Sequence, residues 1–192
     1  MAFVNFIGAP CSGKTTVAAG VFSRLKKYGM AAEYVSEYAR RYIRGKVDRY
    51  PYWLPNNFDQ FRIMMTQFDE EEMHEPTNVT MVTDTSPLNS LLYISHPVKN
   101  DYIINDFYSL TLERKDVIYF HCLSVPNPTI KDPNRIHDAE QIKALEEKCS
   151  VLVTKIHSDF PNLQIHTLSE MDVDSRIDIA VGVVLRESIK SC

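Results

Sequence analysis

Gly8-Ala9-Pro10-Cys11-Ser12-Gly13-Lys14-Thr15 is the stretch that decides how this chain is read. It satisfies the pattern G-x-x-x-x-G-K-[ST] at every fixed position. The glycines let the backbone turn tightly and aim its N–H groups at phosphate oxygens. Lys14 brings a compact positive charge, and the Thr15 hydroxyl is a hard oxygen ligand suited to Mg²⁺. With Thr16, the run from Gly8 to Thr15 makes up the candidate nucleotide-holding set. The helix that follows points its positive end at the same anion.

The flanking residues supply the context the motif needs. Phe3-Val4-Asn5-Phe6-Ile7 is a short apolar run of the kind a buried parallel strand shows. Residues 16–27 carry Val17, Ala18, Val21, Phe22 and Leu25 at helical spacing. Strand, loop and helix thus occur in the order the motif requires.

Bulk properties narrow the class. A chain of 192 residues fits one α/β domain, and 44% hydrophobic with 24% charged residues is enough for a packed core. The net charge of −4 argues against non-specific nucleic-acid binding by the whole surface. Cys11, Cys122, Cys149 and Cys192 are widely spaced with no C-x-x-C pair, so neither a zinc site nor a redox motif is expected. Free thiols fit a reducing compartment. With an opening strand in place of a signal peptide and no apolar run of membrane-spanning length, a cytoplasmic protein without membrane association is expected.

Further strands are expected at 31–36, 79–83, 117–122 and 163–168. Helices are expected at 38–44 closed by Gly45, at 58–73 capped by Asn57, at 87–93 opened by Pro87, around 102–112, after the cap Asp138, and at 174–190. Gly29 stops the first helix. The run Asp69-Glu70-Glu71-Glu72 reads as a solvated helix face, and the six histidines lack ligand spacing. Residues 124–138, with their prolines, form a long mobile loop placed as a lid. Alternating strands and helices imply a parallel sheet covered on both faces, with its ligands beyond the carboxyl ends of the strands.

That rule gathers a candidate site. Asp84, after the third strand, stands where Mg²⁺ is held in folds of this kind, although Asp84, Thr85 and Ser86 also suit a helix cap. Glu37, after the second strand, is placed to accept the proton of an attacking hydroxyl; a surface pair with Arg40 or Arg41 is the plainer alternative. Arg40, Arg41, Arg44, Lys46 and Arg49 alternate with Tyr38, Tyr42, Tyr50, Tyr52 and Trp53, a mixture suited to an anionic or aromatic acceptor. In the lid, Arg135, more than Lys131, offers a planar fork to phosphate oxygens.

Taken together, these residues resemble the small P-loop kinases of the nucleoside and nucleotide group, and most of all their bacterial ribosylnicotinamide kinase branch. The resemblance rests on residues 8–16, on Glu33-Tyr34-Val35-Ser36-Glu37-Tyr38-Ala39-Arg40, on the helix with Gln67, on Thr83-Asp84-Thr85-Ser86, and on Asp132 and Arg135. It implies a three-layer fold whose five-stranded parallel sheet is ordered 2-3-1-4-5, with ATP as donor and Mg²⁺ bound through Thr15 and Asp84. It also implies catalysis by Lys14, Glu37, Asp84 and Arg135, and an acceptor held by Glu37, Arg40, Arg41, Gln67 and Asp84. Related deoxynucleoside kinases carry Arg where this chain has Thr85, and residues 46–58 match no family pattern.

The expected activity is therefore transfer of the γ-phosphate of ATP to a hydroxyl of a nucleoside-like or nucleotide acceptor. The alternatives are a phage-type kinase acting on hydroxymethylpyrimidine in DNA, a nucleoside monophosphate kinase, and a regulatory ATPase or nucleotide switch. A GTPase would need an N-K-x-D motif, which is absent. A DNA acceptor and a homodimer remain compatible with the sequence.

Overall fold

The computed structural model describes residues 2–50, 53–73, 79–94, 101–114, 116–124, 138–170 and 172–190. Five parallel strands form one sheet: β1 (Phe3–Ile7), β2 (Ala32–Val35), β3 (Thr80–Thr83), β4 (Val117–Cys122) and β5 (Gln164–Leu168). Their order is β2-β3-β1-β4-β5, as the resemblance implied. Six α-helices join them: α1 (Lys14–Lys27), α2 (Tyr38–Val47), α3 (Asn57–Glu72), α4 (Asp101–Leu112), α5 (Ala139–Asp159) and α6 (Val173–Lys190). A 3₁₀ helix, Pro87–Leu92, follows β3.

The apolar residues of β1 serve both faces of the sheet. Val4 and Phe6 pack with Val17, Ala18, Val21 and Leu25 of α1 and Ile177, Ala180 and Val184 of α6. Phe3 and Ile7 pack on the other face with Leu88, Tyr108 and the α5 residues Leu145, Cys149 and Val153. A side chain that alternates along a doubly covered strand finds apolar cover either way. Leu25 is fully buried, and α1 ends as expected at Gly29, whose φ of 79° suits glycine.

Four local expectations are corrected. Helix α2 runs through Gly45 to Val47, because its backbone bonds continue as far as Asp48 N–H donating to the Arg44 carbonyl; one glycine costs a helix only about 1 kcal/mol. Asn56, not Asn57, caps α3, since only Asn56 sits three residues before Asp59 and exchanges bonds of 3.0 Å each way with it. The segment opened by Pro87 is a single 3₁₀ stretch. The fourth correction concerns the acidic run. Glu71 is fully buried, and Glu70 pairs with Arg41 at 2.6 Å.

Arg114, just past α4, makes Glu71 tolerable. Its guanidinium contacts the Glu71 carboxylate, reaches Glu72 at 2.8 Å, and lies 3.7 Å from the Phe68 ring centroid. Burial still pushes the Glu71 carboxyl up to about 7, against the pull of Arg114. Removing one partner of such a pair strands the other's charge. Arg114→Met should therefore lower unfolding free energy by about 3–5 kcal/mol, read from urea midpoints. The double variant Glu71→Leu with Arg114→Met should recover most of the loss. An unchanged midpoint in Arg114→Met would show that the pair does not anchor α3.

Candidate active site

Because every strand runs the same way, the carboxyl ends of β1, β2, β3 and β4 open on one edge of the sheet. Leaving β1, the chain forms a tight loop with Ser12 N–H donating to the Ala9 carbonyl at 3.3 Å. Cys11 and Gly13 hold φ of 70° and 83°, the left-handed turns that make successive N–H groups converge. The first turn of α1 has no side-chain cap and no acidic residue. Its amides are thus available to an anion.

Gly8 has no room for a side chain: a Cβ there would lie 2.6 Å from the Cys122 carbonyl and 2.6 Å from Ser12 Oγ. Asn89 of the 3₁₀ helix grips the same residue. Its Nδ2 donates to the Gly8 carbonyl at 3.0 Å and its Oδ1 accepts from the Gly8 N–H at 3.4 Å. Lys14 Nζ donates to the carbonyls of Gly8 and Ala9, each at 2.9 Å, so its charge is held across the loop.

Asp84 follows β3 and is 3% exposed. Its Oδ1 is buried with no hydrogen-bond partner among the described residues. Burial raises its carboxyl above the ordinary range, opposed by the Thr15 hydroxyl, the charges of Lys14 and Arg40, and the Tyr34 hydroxyl. Tyr34 is itself pushed up by burial and by Asp84, so its proton stays in place as a donor. Glu37 stands just before α2 without a side-chain cap bond and is half-buried, with Arg40 Nε 3.7 Å from its Oε2. Its carboxyl is also raised, first by burial and then by Asp84, while Lys14 and Arg40 pull it down. Lys14, Thr15, Glu37, Asp84 and Arg40 are therefore neighbours at the strand ends.

The other expected residues have different surroundings. Gln67 is buried, and its amide is spent on the backbone beside Glu37: Oε1 accepts from Tyr38 N–H at 2.7 Å and Nε2 donates to the Ser36 carbonyl at 3.5 Å. Arg41 is committed to Glu70 and lies over the Tyr38 ring. Lys46 and Arg62 lie over the Tyr42 ring, and Tyr42 Oη donates to Asp59 at 2.7 Å. Much of the basic, aromatic segment is thus engaged within the chain. Lys131, Asp132, Arg135 and the lid placed at 124–138 lie outside the described residues, apart from Ser124 and Asp138.

Two residues of the site escape a reading by sequence. Asn89 stands in an otherwise ordinary Pro87-opened turn, and Arg176 belongs to a helix whose charges look exposed. Only tertiary packing takes them to the loop, and no local pattern would have singled them out. Among the cysteines, Cys122 and Cys149 are buried free thiols whose pKa values burial pushes up to about 12 and about 11.

Raised carboxyls in the cleft bear on pH. A carboxylate that must be ionised to act loses that form as pH falls through its own pKa. With Glu37 above its usual 4.5, any activity that uses it should decline on the acid side at a pH higher than an ordinary glutamate would give. A pH–rate profile flat down to 4.5 would remove Glu37 from the chemistry.

The donor set suits Mg²⁺. Among the described residues no three His, Cys, Asp or Glu side chains gather as a metal cage. A hydroxyl and one buried carboxylate oxygen in need of a partner fit a hard cation that takes few protein ligands and keeps its other positions for water and phosphate.

Comparison with known proteins agrees with this architecture. A family model described as AAA domain matches residues 3–170. No curated protein matches the chain in sequence. Among solved structures, deoxyadenosine kinase from M. mycoides with bound dATP is similar at TM-score 0.60 and 14% identity, covering 95% of this chain and 98% of that one. Shikimate kinase from Acinetobacter baumannii in complex with shikimate is matched at TM-score 0.48 and 13% identity, over 100% of this chain and 94% of that one. APS kinase from Mycobacterium tuberculosis is matched at TM-score 0.39 and 14% identity, over 81% and 97%. The first likeness shows the fold, a P-loop nucleoside-triphosphatase sheet with helices on both faces. Among the described residues no helix is long and apolar enough to cross a membrane.

Proposed function

We propose, for a chain that belongs to the AAA domain family, an ATP-dependent kinase that transfers the γ-phosphate to a hydroxyl of a nucleoside-like acceptor. One observation carries this reading: two carboxyls with raised pKa values, Glu37 and Asp84, sit in the electrostatic field of Lys14 at the mouth of the phosphate loop. A switch protein needs the loop and one metal partner. A second carboxylate on the acceptor side of the cleft is what a transfer to a hydroxyl requires.

The residues divide the work. Loop amides and Lys14 hold the donor phosphates. Glu37 orients the acceptor hydroxyl and takes its proton as the oxygen forms a bond to the γ-phosphorus, while the bond to the β-phosphate oxygen breaks and ADP leaves. Gln67 fixes the backbone on both sides of Glu37 and acts as a positioning residue. Thr15 and Asp84 would hold Mg²⁺, which when bound neutralises phosphate charge. The Tyr34 hydroxyl and the Arg40 charge favour the ionised form of Asp84, and Arg40 that of Glu37, against the burial that raises both.

An acceptor screen tests the proposal. Labelled ATP and Mg²⁺ would be offered with nicotinamide riboside, which the sequence resemblance favours, and with deoxyadenosine, other nucleosides, nucleoside monophosphates and DNA containing hydroxymethyluracil. Label is expected on a nucleoside hydroxyl. Label appearing only in free phosphate would replace the kinase with an ATPase.

A further inference from the structure

Helix α6 carries the largest fully buried side chain of the described residues, Arg176, at 1% exposure. Its guanidinium spans two backbone segments. Nη1 donates to the Ser12 carbonyl at 2.8 Å, and Nε donates to the Glu170 carbonyl at 2.5 Å. Both acceptors are neutral. Among the described residues no carboxylate makes an ion pair with Arg176, and Glu170 offers it a carbonyl oxygen. By contrast, the other deeply buried arginine, Arg114, has two carboxylates against it.

A guanidinium does not lose its proton in a protein. Arg176 therefore keeps a full positive charge in the interior, a costly placement unless an opposite charge answers it. Its location suggests where that answer comes from. Ser12 lies in the phosphate loop, and a methyl group built on Gly13 would lie 3.9 Å from Nη1. The charge thus sits against the phosphate loop, buried where water does not screen it.

We propose that Arg176 is a positioning residue that charges the phosphate loop from beneath: it fixes the Ser12 carbonyl and supplies a buried cation whose counter-charge is the bound polyphosphate. This extends the kinase reading and rests on it. It predicts an inverse signature. Removing the charge weakens polyphosphate binding without a matching loss of stability in the free protein, because among the described residues no carboxylate makes an ion pair with that charge.

The test uses the full chain, with inorganic tripolyphosphate and ATP–Mg²⁺ as probes in titration calorimetry and urea denaturation of the unliganded protein as the stability readout. Arg176→Gln keeps a donor and removes the charge; Arg176→Lys keeps the charge and loses the fork. Arg176→Gln should bind tripolyphosphate at least about 10-fold more weakly, as loss of a poorly screened charge near the phosphates implies, with its urea midpoint at or above that of the wild type. Arg176→Lys should recover most of the affinity. Equal affinity in Gln and Lys variants overturns the proposal, as does a parallel loss of affinity and stability, which marks a plain structural staple. If Arg176→Gln does not fold, an Arg176→Lys variant that folds and binds no better than 10-fold below the wild type also overturns it. A wild type that binds neither probe removes the kinase reading itself, whereas wild-type binding with an unaffected Arg176→Gln removes only the role of Arg176.

Discussion

Replacing Lys14 with alanine should lower phosphoryl transfer by about 10²–10³-fold or more, the loss seen when one preorganised electrostatic group is taken from a charged transition state. The ammonium is held by two backbone carbonyls at 2.9 Å, so its position is set before any substrate arrives. Charge that accumulates on the terminal phosphate then meets a cation that need not reorganise. The same substitution should leave the fold intact, because Lys14 is part-exposed and the Gly8 carbonyl keeps the Asn89 amide as a partner. The measurement pairs a transfer assay with a melting curve. Activity lost together with the melting transition would mean that Lys14 holds the loop up; activity retained would mean that the loop is not where the phosphates bind.

The second large effect is expected at Glu37. Glu37→Gln preserves shape and removes the proton acceptor, so turnover should fall by about 10²–10⁴-fold, while affinity for ATP stays within a few-fold of the wild type. The split follows from position. Glu37 lies just past the end of β2, with its flanking backbone tied to Gln67 and its carboxylate 3.7 Å from Arg40 Nε. Steady-state rates alongside direct nucleotide titration separate the two quantities. Unchanged turnover would transfer the base role away from Glu37 and leave it as the partner of Arg40. A drop in ATP affinity as large as the drop in rate would mean that Glu37 supports the donor side.

Parallel loss of an acidic limb would add to this. In the wild type the limb reflects carboxyls raised by burial, and for Glu37 also by the charge of Asp84. Glu37→Gln leaves Asp84 as the remaining carboxyl of the pair, and it removes a negative charge from its neighbourhood. The residual activity should therefore hold to lower pH.

Sequence alone sufficed for the phosphate loop, the five strands and the alternation that makes their sheet parallel. These follow from short-range rules. A glycine at a left-handed turn, an apolar run and a helical stripe act over a few residues, so a linear pattern reports them. That Glu37 and Asp84 stand near one another was legible for the same reason: each is the first acid after a strand, and parallel strands bring their ends together. The acidic run at 69–72 misled because its meaning depends on Arg114, more than forty residues away, which turns one solvated-looking glutamate into a buried ion pair. Asn89 gripping Gly8 and Arg176 standing behind Ser12 depend on separations of 81 and 164 residues. No local pattern encodes such distances. The motif at Gly8–Thr15 could say where a phosphate would be held, whereas only the packed interior could say which distant side chains brace that loop, because burial removes the water that would otherwise satisfy them.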